Sequence, residues 1–207
     1  MSPLRFTLVS EGSSDRALLP VLEWAIRQCR AVDLEPQWAE LRSLPNPPRS
    51  LADRVRIALE LYPCELLFVH RDGDRAGREA RLREIKDALA TLAEPPAVCV
   101  VPVRALEAWF LFDEAAIRRA AGNPNGRRAL DLPAWRDVEA LADPKGVLWN
   151  VVQAASELEG RRRRAVEVGR AVHRIADLVT DFSPLRRLPA FASFETDLRE
   201  VLLQLAC

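Results

Sequence analysis

Short apolar runs alternate with amphipathic stretches along the first 120 residues of the chain. Runs that contain β-branched and aromatic side chains predict buried strands, and four are found, at residues 4–10, 36–41, 65–70 and 97–103. The stretches between them repeat their apolar positions at about the 3.6-residue period of a helix. This alternation predicts an α/β fold with a mostly parallel four-stranded sheet and helices on both faces.

The helical stretches are predicted from their apolar stripes. The first stripe passes through Leu18 and Leu22 and contains Pro20, so this helix either kinks at Pro20 or begins near Leu18. A second helix is expected at about residues 50–61. A third, after Asp74, places its apolar side chains on one stripe at Leu82, Ile85, Leu89 and Leu92.

A fourth helical stretch is expected to break at Asp113, whose carboxylate can cap a helix over residues 114–121. Beyond the Gly- and Asn-containing loop of residues 122–126, the strand signals disappear and helices follow one another. We therefore expect an α/β domain over residues 1–121 and an all-helical extension over residues 127–207 that packs on its edge.

Within the extension, residues 143–144 (Asp-Pro) suit an N-cap and first helical turn, and the helix that they open is expected to close near Gly160. A further helix is expected over residues 161–179. Ser193 is expected to cap the last helix of the chain.

The charged residues are balanced in number but uneven in kind. Thirty Lys and Arg residues face thirty Asp and Glu residues, and this zero net charge argues against unselective polyanion binding. Lys86 and Lys145 are the only lysines, so 28 of the 30 cationic residues are arginines. Arginine pairs with phosphate in a bidentate manner, although a genome rich in G and C would produce the same bias.

No run approaches the roughly 20 apolar residues of a membrane span. The apolar stretch at residues 6–9 is too short for a signal peptide and is followed by Glu11. We therefore expect a soluble, cytoplasmic protein with no membrane partner.

Acidic side chains follow two of the predicted strands. Glu11 follows the first strand, and Asp72 and Asp74 follow the third. In a parallel sheet these positions meet at one edge, and residues two apart in an extended segment point the same way. Three carboxylates at this edge suit one or two Mg²⁺ ions acting on a phosphodiester. Alternatively, Glu11 and Asp15 only favour the positive end of the first helix, and Asp72 and Asp74 cap the third.

The order of Glu11-Gly12 after the first strand and Asp72-Gly73-Asp74 after the third resembles the two motifs of the Toprim fold. Topoisomerases, bacterial primases, OLD-type nucleases and small RNA-maturation nucleases share this Rossmann-like fold. Residues 102–113, which contain Glu107, resemble the glutamate-containing stretch after the fourth strand of small stand-alone Toprim-like proteins. The resemblance extends over about residues 4–118.

The resemblance implies breakage or joining of phosphodiesters with Mg²⁺ or Mn²⁺ as the cofactor. Glu11 would be a metal ligand or the general acid or base, and Asp72 and Asp74 would be metal ligands. Glu107 would be a further acidic ligand, unless it forms an ion pair with Arg104 one turn earlier.

Two features that the larger relatives need are missing from this sequence. Tyr62 is the only tyrosine and lies between a helix and a strand, which disfavours a topoisomerase. No Gly-x-x-x-x-Gly-Lys-Ser/Thr pattern is present, so an ATPase would have to be a separate partner. We expect a small nuclease of phage defence or repair, with DNA or RNA as substrate. Another phosphoryl-transfer enzyme and a non-catalytic recognition module remain alternatives.

Basic residues near the acidic motif are candidates for phosphate contacts. Arg75 and Arg78 lie one turn apart after Asp74, and Lys145 lies at the head of a predicted helix. Arg75 and Arg78 could instead only balance local carboxylates. The run at residues 161–164, four consecutive arginines, could follow a nucleic-acid backbone or form a solvated start to a helix.

Overall fold

The structure is a computed structural model that describes residues 3–90 and 95–205. Its centre is one four-stranded parallel sheet in the order β2-β1-β3-β4. The strands are β1 (Leu4–Val9), β2 (Leu34–Trp38), β3 (Leu66–His70) and β4 (Ala97–Val100). The α/β class and the parallel sheet predicted from the sequence are therefore confirmed.

Nine α-helices lie within the described residues, and short 3₁₀ turns lie at Ser14–Ala17, Leu106–Phe110 and Ser183–Arg187. The helices are α1 (Leu18–Cys29), α2 (Leu51–Leu61), α3 (Arg78–Leu89), α4 (Glu114–Ala120), α5 (Trp135–Val138), α6 (Pro144–Ala155), α7 (Gly160–Arg164), α8 (Val168–Leu178) and α9 (Pro189–Gln204). None of these helices is both long and apolar enough to cross a membrane.

The sheet has one apolar layer on each face. Helices α2 and α3 cover one face, where Val55 and Ile85 pack with Leu67 and Val69 of β3. The opposite face carries Phe6, Leu8 and Phe68 and packs against α1 and the helices that follow residue 113. Because both faces are covered, the strands are almost entirely apolar, as is typical of parallel sheets.

The helical extension shares this second layer with the sheet. The Phe68 ring of β3 lies 6.3 Å from the Phe194 ring of α9. Trp109, which follows β4, lies edge-on to Phe191 of α9 at 5.1 Å. Buried residues of the strands, α6, α8 and α9 therefore form one continuous cluster. Lys145 in the first turn of α6 lies 3.2 Å from Asp72, which places the start of α6 at the edge where β3 ends.

Several helix boundaries follow the local signals. Helix α1 begins at Leu18, so Pro20 lies in its first turn, where a proline is tolerated. Asp113 caps α4 by accepting a hydrogen bond from Ala116 N at 2.9 Å. Asp143 caps α6 in the same way through Gly146 N at 2.9 Å.

Other boundaries were predicted wrongly. Helix α6 ends at Ala155 and not near Gly160, because Glu157 takes a positive φ of 52° that ends helical geometry. The helix expected over residues 161–179 is divided into α7 and α8. Ser193 lies inside α9, which begins at Pro189, a residue already suited to a first helical turn. Leu92, placed on the stripe of α3, lies outside the described residues.

Candidate metal and phosphate site

Asp72 lies at the centre of the polar edge where β3 ends. Its side chain is 16% exposed, and its Oδ1 accepts a hydrogen bond from Leu106 N at 2.9 Å. Its Oδ2 lies 3.2 Å from Lys145 Nζ. Burial works to raise the pKa of Asp72, but His70 and Lys145 outweigh it and hold this pKa below its ordinary value. Asp72 is therefore ionised at neutral pH.

His70 supports Asp72 from within the sheet. The imidazole is buried, and its Nδ1 lies 2.9 Å from the carbonyl oxygen of Val100. Because a carbonyl only accepts, Nδ1 carries a hydrogen and donates it. The other ring nitrogen lies 3.5 Å from Asp72 Oδ1. Burial works to lower the pKa of His70, but Asp72 raises it to a net value above the ordinary one.

Glu107 is a buried carboxylate beside Asp72. It lies in the 3₁₀ turn whose first amide, that of Leu106, is bound by Asp72. Glu107 is 7% exposed, and its Oε2 has no hydrogen-bond partner among the described residues. Burial raises the pKa of Glu107 to about 6, against the opposing charge of Lys145. Such an unsatisfied buried oxygen is costly, and it marks a place suited to a ligand.

Lys145 brings positive charge from the helical extension to these carboxylates. It lies in the first turn of α6, directly after Asp143 and Pro144. Burial works to lower the pKa of Lys145, but the charges of Glu107 and Asp72 raise it above its ordinary value. The ammonium group thus interacts electrostatically with both carboxylates. More than half of the Lys145 side chain remains exposed.

Glu11 is held by two arginines. Arg71 Nη1 and Arg54 Nη1 both contact Glu11 Oε1, the latter at 3.1 Å. The backbone amides of Glu11 and Gly12 are bound by Asp15 Oδ2 at 3.1 and 2.7 Å. Asp15 therefore closes the turn after β1, and this turn directs the Glu11 side chain toward α2 and β3.

Asp74 has a left-handed backbone conformation that Arg104 holds. Its φ is 46°, in a region that aspartate adopts more often than most residues other than glycine. The Asp74 amide donates to the Arg104 carbonyl at 2.9 Å, and Arg104 Nη1 donates to the Asp74 carbonyl at 2.9 Å. The Asp74 carboxylate is 58% exposed and lies 4.0 Å from Arg81 Nη2.

A cleft of about 450 Å³ opens between this edge and the start of α6. Arg75, Arg81, Arg104 and Lys145 contribute its positive charge, and Asp74 and Asp143 line it as well. Arg78, also a predicted phosphate contact, is not among the lining residues and donates to Val101 O at 3.3 Å. The cleft has the size and charge for a phosphate-containing ligand.

The alternative structural roles of Asp72, Asp74 and Glu107 are not observed among the described residues. The N-cap of α3 is Gly77 without a side-chain bond, so neither Asp72 nor Asp74 caps this helix. Arg104 binds the Asp74 carbonyl, and no ion pair joins it to Glu107 in the described part of the chain.

The predicted carboxylates do not form one compact group. Over residues 3–90 and 95–205, no three His, Cys, Asp or Glu side chains are arranged so that they could hold a metal ion. Asp72 and Glu107 share Lys145, whereas Glu11 and Asp74 are paired with arginines.

Sequence reasoning assigned no role to Arg54, Arg71 and Arg81, and it paired Arg104 with Glu107 instead of with Asp74. One signal was available for His70, since residues 70 and 72 lie two apart at the end of one strand.

Comparison of the chain with protein-family models, with curated proteins and with solved structures gives no match. The Toprim resemblance therefore stays a prediction that depends on the order and spacing of its two short motifs.

Proposed function

We propose that this chain is a Mg²⁺- or Mn²⁺-dependent nuclease of the Toprim type that cleaves nucleic-acid phosphodiesters at the edge where β1 and β3 end. The observation that carries the proposal is the buried Glu107 Oε2, which has no hydrogen-bond partner beside the Asp72–Lys145 pair. A cation at this position would satisfy an oxygen that the described residues leave unpaired.

The residues fit magnesium better than a metal that needs many protein ligands. Mg²⁺ is commonly bound through one or two carboxylates, with water and phosphate oxygens completing its shell. Asp72 and Glu107 supply two oxygen-donor side chains, and the Lys145 ammonium shows that a positive charge is already stabilised next to them. Glu11 and Asp74 are the further carboxylates of the predicted set.

Each residue has a definable task in this proposal. When bound, Mg²⁺ would polarise the scissile phosphate and lower the pKa of a bound water. His70 and Lys145 keep Asp72 ionised, and Glu107 must lose its proton before Oε2 can act as a ligand. Lys145 and Arg75 line the cleft and would neutralise phosphate charge.

The decisive test is hydrolysis of single- and double-stranded DNA and RNA with Mg²⁺ or Mn²⁺. Asp72→Asn keeps an oxygen for the Leu106 amide but removes the charge, and we expect it to slow cleavage by about a hundredfold or more. Asp87→Asn, an exposed aspartate on α3, is the matched control and should retain activity. Inactivity of the purified chain on all four polymers, or equal activity of Asp72→Asn, contradicts the proposal.

A second candidate is a recognition module without catalysis, because Arg54 and Arg71 already neutralise Glu11. Titration calorimetry with Mn²⁺ distinguishes the two. The nuclease requires Mn²⁺ binding that Glu107→Gln weakens, whereas the recognition module requires none.

A further inference from the structure

Five exposed arginines lie on the helical extension, away from the carboxylates. Arg127 and Arg128 follow the loop after α4, and Arg161, Arg162 and Arg163 lie in α7. None of these five guanidinium groups forms an ion pair with another described residue. We call these five residues the basic surface.

Glu157 joins the two parts of the basic surface. Its Oε1 accepts hydrogen bonds from the amides of Arg127 and Arg128 at 2.6 and 2.8 Å. Asn123 Nδ2 donates to the carbonyl oxygen of Ala155 at 3.0 Å and fixes the same loop to the end of α6. Helix α7 begins three residues after Glu157, so both groups of arginines lie around one junction.

The basic surface keeps a net positive charge. Its five arginines face three carboxylates nearby in sequence, Asp131, Glu157 and Glu159. Glu157 accepts hydrogen bonds from two backbone amides, which lower its pKa, and the charge of Arg128 also lowers this pKa. Glu167, the next along the chain, pairs with Arg170 at 2.7 Å. Because the whole chain has zero net charge, this accumulation is a local segregation of charge rather than a general basicity.

Helix α6 connects the basic surface to the cleft. Lys145 lies in its first turn and the basic surface lies beyond its last. The helix has 12 residues. At about 1.5 Å per residue, α6 therefore separates the two sites by about 18 Å. Successive phosphates of one duplex strand are about 3.4 Å apart along the axis, so this distance corresponds to about five base pairs.

We propose that the basic surface binds the phosphate backbone of a nucleic-acid duplex about five base pairs from the point held in the cleft. The location of the cut rests on the proposed nuclease function, but backbone binding does not. Each arginine that contacts a phosphate displaces a counterion, so binding should weaken steeply with salt.

The test measures duplex binding without cleavage. Fluorescence anisotropy of a labelled DNA duplex of about 20 base pairs, in EDTA, gives Kd over a series of salt concentrations. We expect two double variants, Arg127→Gln/Arg128→Gln and Arg161→Gln/Arg162→Gln, each to raise Kd by about tenfold. Each should also reduce the magnitude of the slope of log affinity against log salt concentration by about 2. Arg83→Gln/Arg199→Gln removes the same charge from exposed positions on α3 and α9, and should change Kd by less than about twofold.

Two binding results would overturn the proposal. One is an equal loss of affinity in the control double variant, which would indicate a general charge effect. The other is unchanged duplex binding with a selective loss of binding to vesicles that contain anionic lipid, which would assign the surface to a membrane. Duplex binding that depends on the basic surface, without any cleavage in Mg²⁺ or Mn²⁺, would support this proposal and contradict the nuclease. Cleavage that Asp72→Asn abolishes, together with unchanged duplex binding in both double arginine variants, would support the nuclease and contradict this proposal.

Discussion

Lys145 Nζ lies 3.2 Å from Asp72 Oδ2, although 73 residues separate the two in the chain. The contact joins the first turn of α6 to the end of β3, so the helical extension contributes directly to the polar edge of the sheet. The negative charge of Glu107 also raises the pKa of this ammonium group. Lys145 is thus the counter-charge of both buried carboxylates.

Removal of this counter-charge should strengthen metal binding and weaken phosphate binding. In Lys145→Gln, Asp72 and Glu107 lose a positive neighbour, so we expect Mn²⁺ to bind several-fold more tightly by calorimetry, on the order of 1 kcal/mol for a partly exposed charge. Cleavage should fall, because the phosphate loses a cation in the cleft. Lys86→Gln, at the only other lysine, lies exposed on α3 and is the control. Weaker Mn²⁺ binding in Lys145→Gln would contradict this role.

Glu107 should make stability depend on pH. Its pKa is raised from 4.5 to about 6, so the folded state holds its proton more tightly than the unfolded state does. Between these two values the folded state binds more protons, and the free energy of unfolding falls as the pH rises. A difference of about 1.5 pKa units corresponds to about 2 kcal/mol.

Glu107→Gln cannot titrate and isolates this effect. We would measure urea unfolding below pH 4.5 and above pH 6. As the pH rises, the free energy of unfolding of the wild type should fall by about 2 kcal/mol relative to that of Glu107→Gln. Glu200→Gln, at an exposed position of α9, should show the same pH dependence of the free energy of unfolding as the wild type. A constant difference between wild type and Glu107→Gln would mean that the carboxylate is not buried in solution.

The sheet could be predicted from the sequence because its signals are local. Apolar runs such as residues 65–70 and caps such as Asp113 and Asp143 act within a few residues, and the structure confirms all three. The break between α7 and α8 could not, because an arginine run and the residues after it are compatible with a continuous helix.

The surroundings of the carboxylates were beyond sequence reasoning for a different reason. Arg54 of α2 and Arg71 after β3 reach Glu11 across 43 and 60 residues. Side chains of opposite charge are frequent in this chain, so nothing in the sequence selects these two pairs from many others. Only the packing of α2 beside β1 and β3 selects them.

Arg54 should compete with a metal for Glu11. In Arg54→Gln one ion-pair partner of Glu11 Oε1 is removed, and we expect Mn²⁺ to bind a few-fold more tightly if Glu11 is a ligand. Arg56→Gln, two residues along the same helix, loses exposed pairs with Asp53 and Glu60 and should leave Mn²⁺ binding unchanged. Equal Mn²⁺ affinities of Arg54→Gln and the wild type would indicate that Glu11 is not a metal ligand.

Gly73 should be intolerant of any side chain, because the loop after β3 passes directly against the segment after β4. A Cβ at this position would lie 2.2 Å from the carbonyl oxygen of Val103 and 2.8 Å from that of Pro102. Both contacts are with backbone, which cannot rotate away, so Gly73→Ala must displace one of the two segments. We expect a loss of about 1 to 3 kcal/mol in urea unfolding, as in other overpacked sites.

The same displacement would move Asp72 and Asp74, which flank Gly73, so Gly73→Ala should also weaken Mn²⁺ binding. Gly169→Ala is the matched control, because a Cβ there meets nothing within 4 Å and the residue lies in α8. Since alanine favours a helix over glycine, this control should gain up to about 1 kcal/mol. If Gly73→Ala unfolded like the wild type and bound Mn²⁺ equally well, the close approach of the two loops would not exist in solution, and the acidic motif would not depend on it.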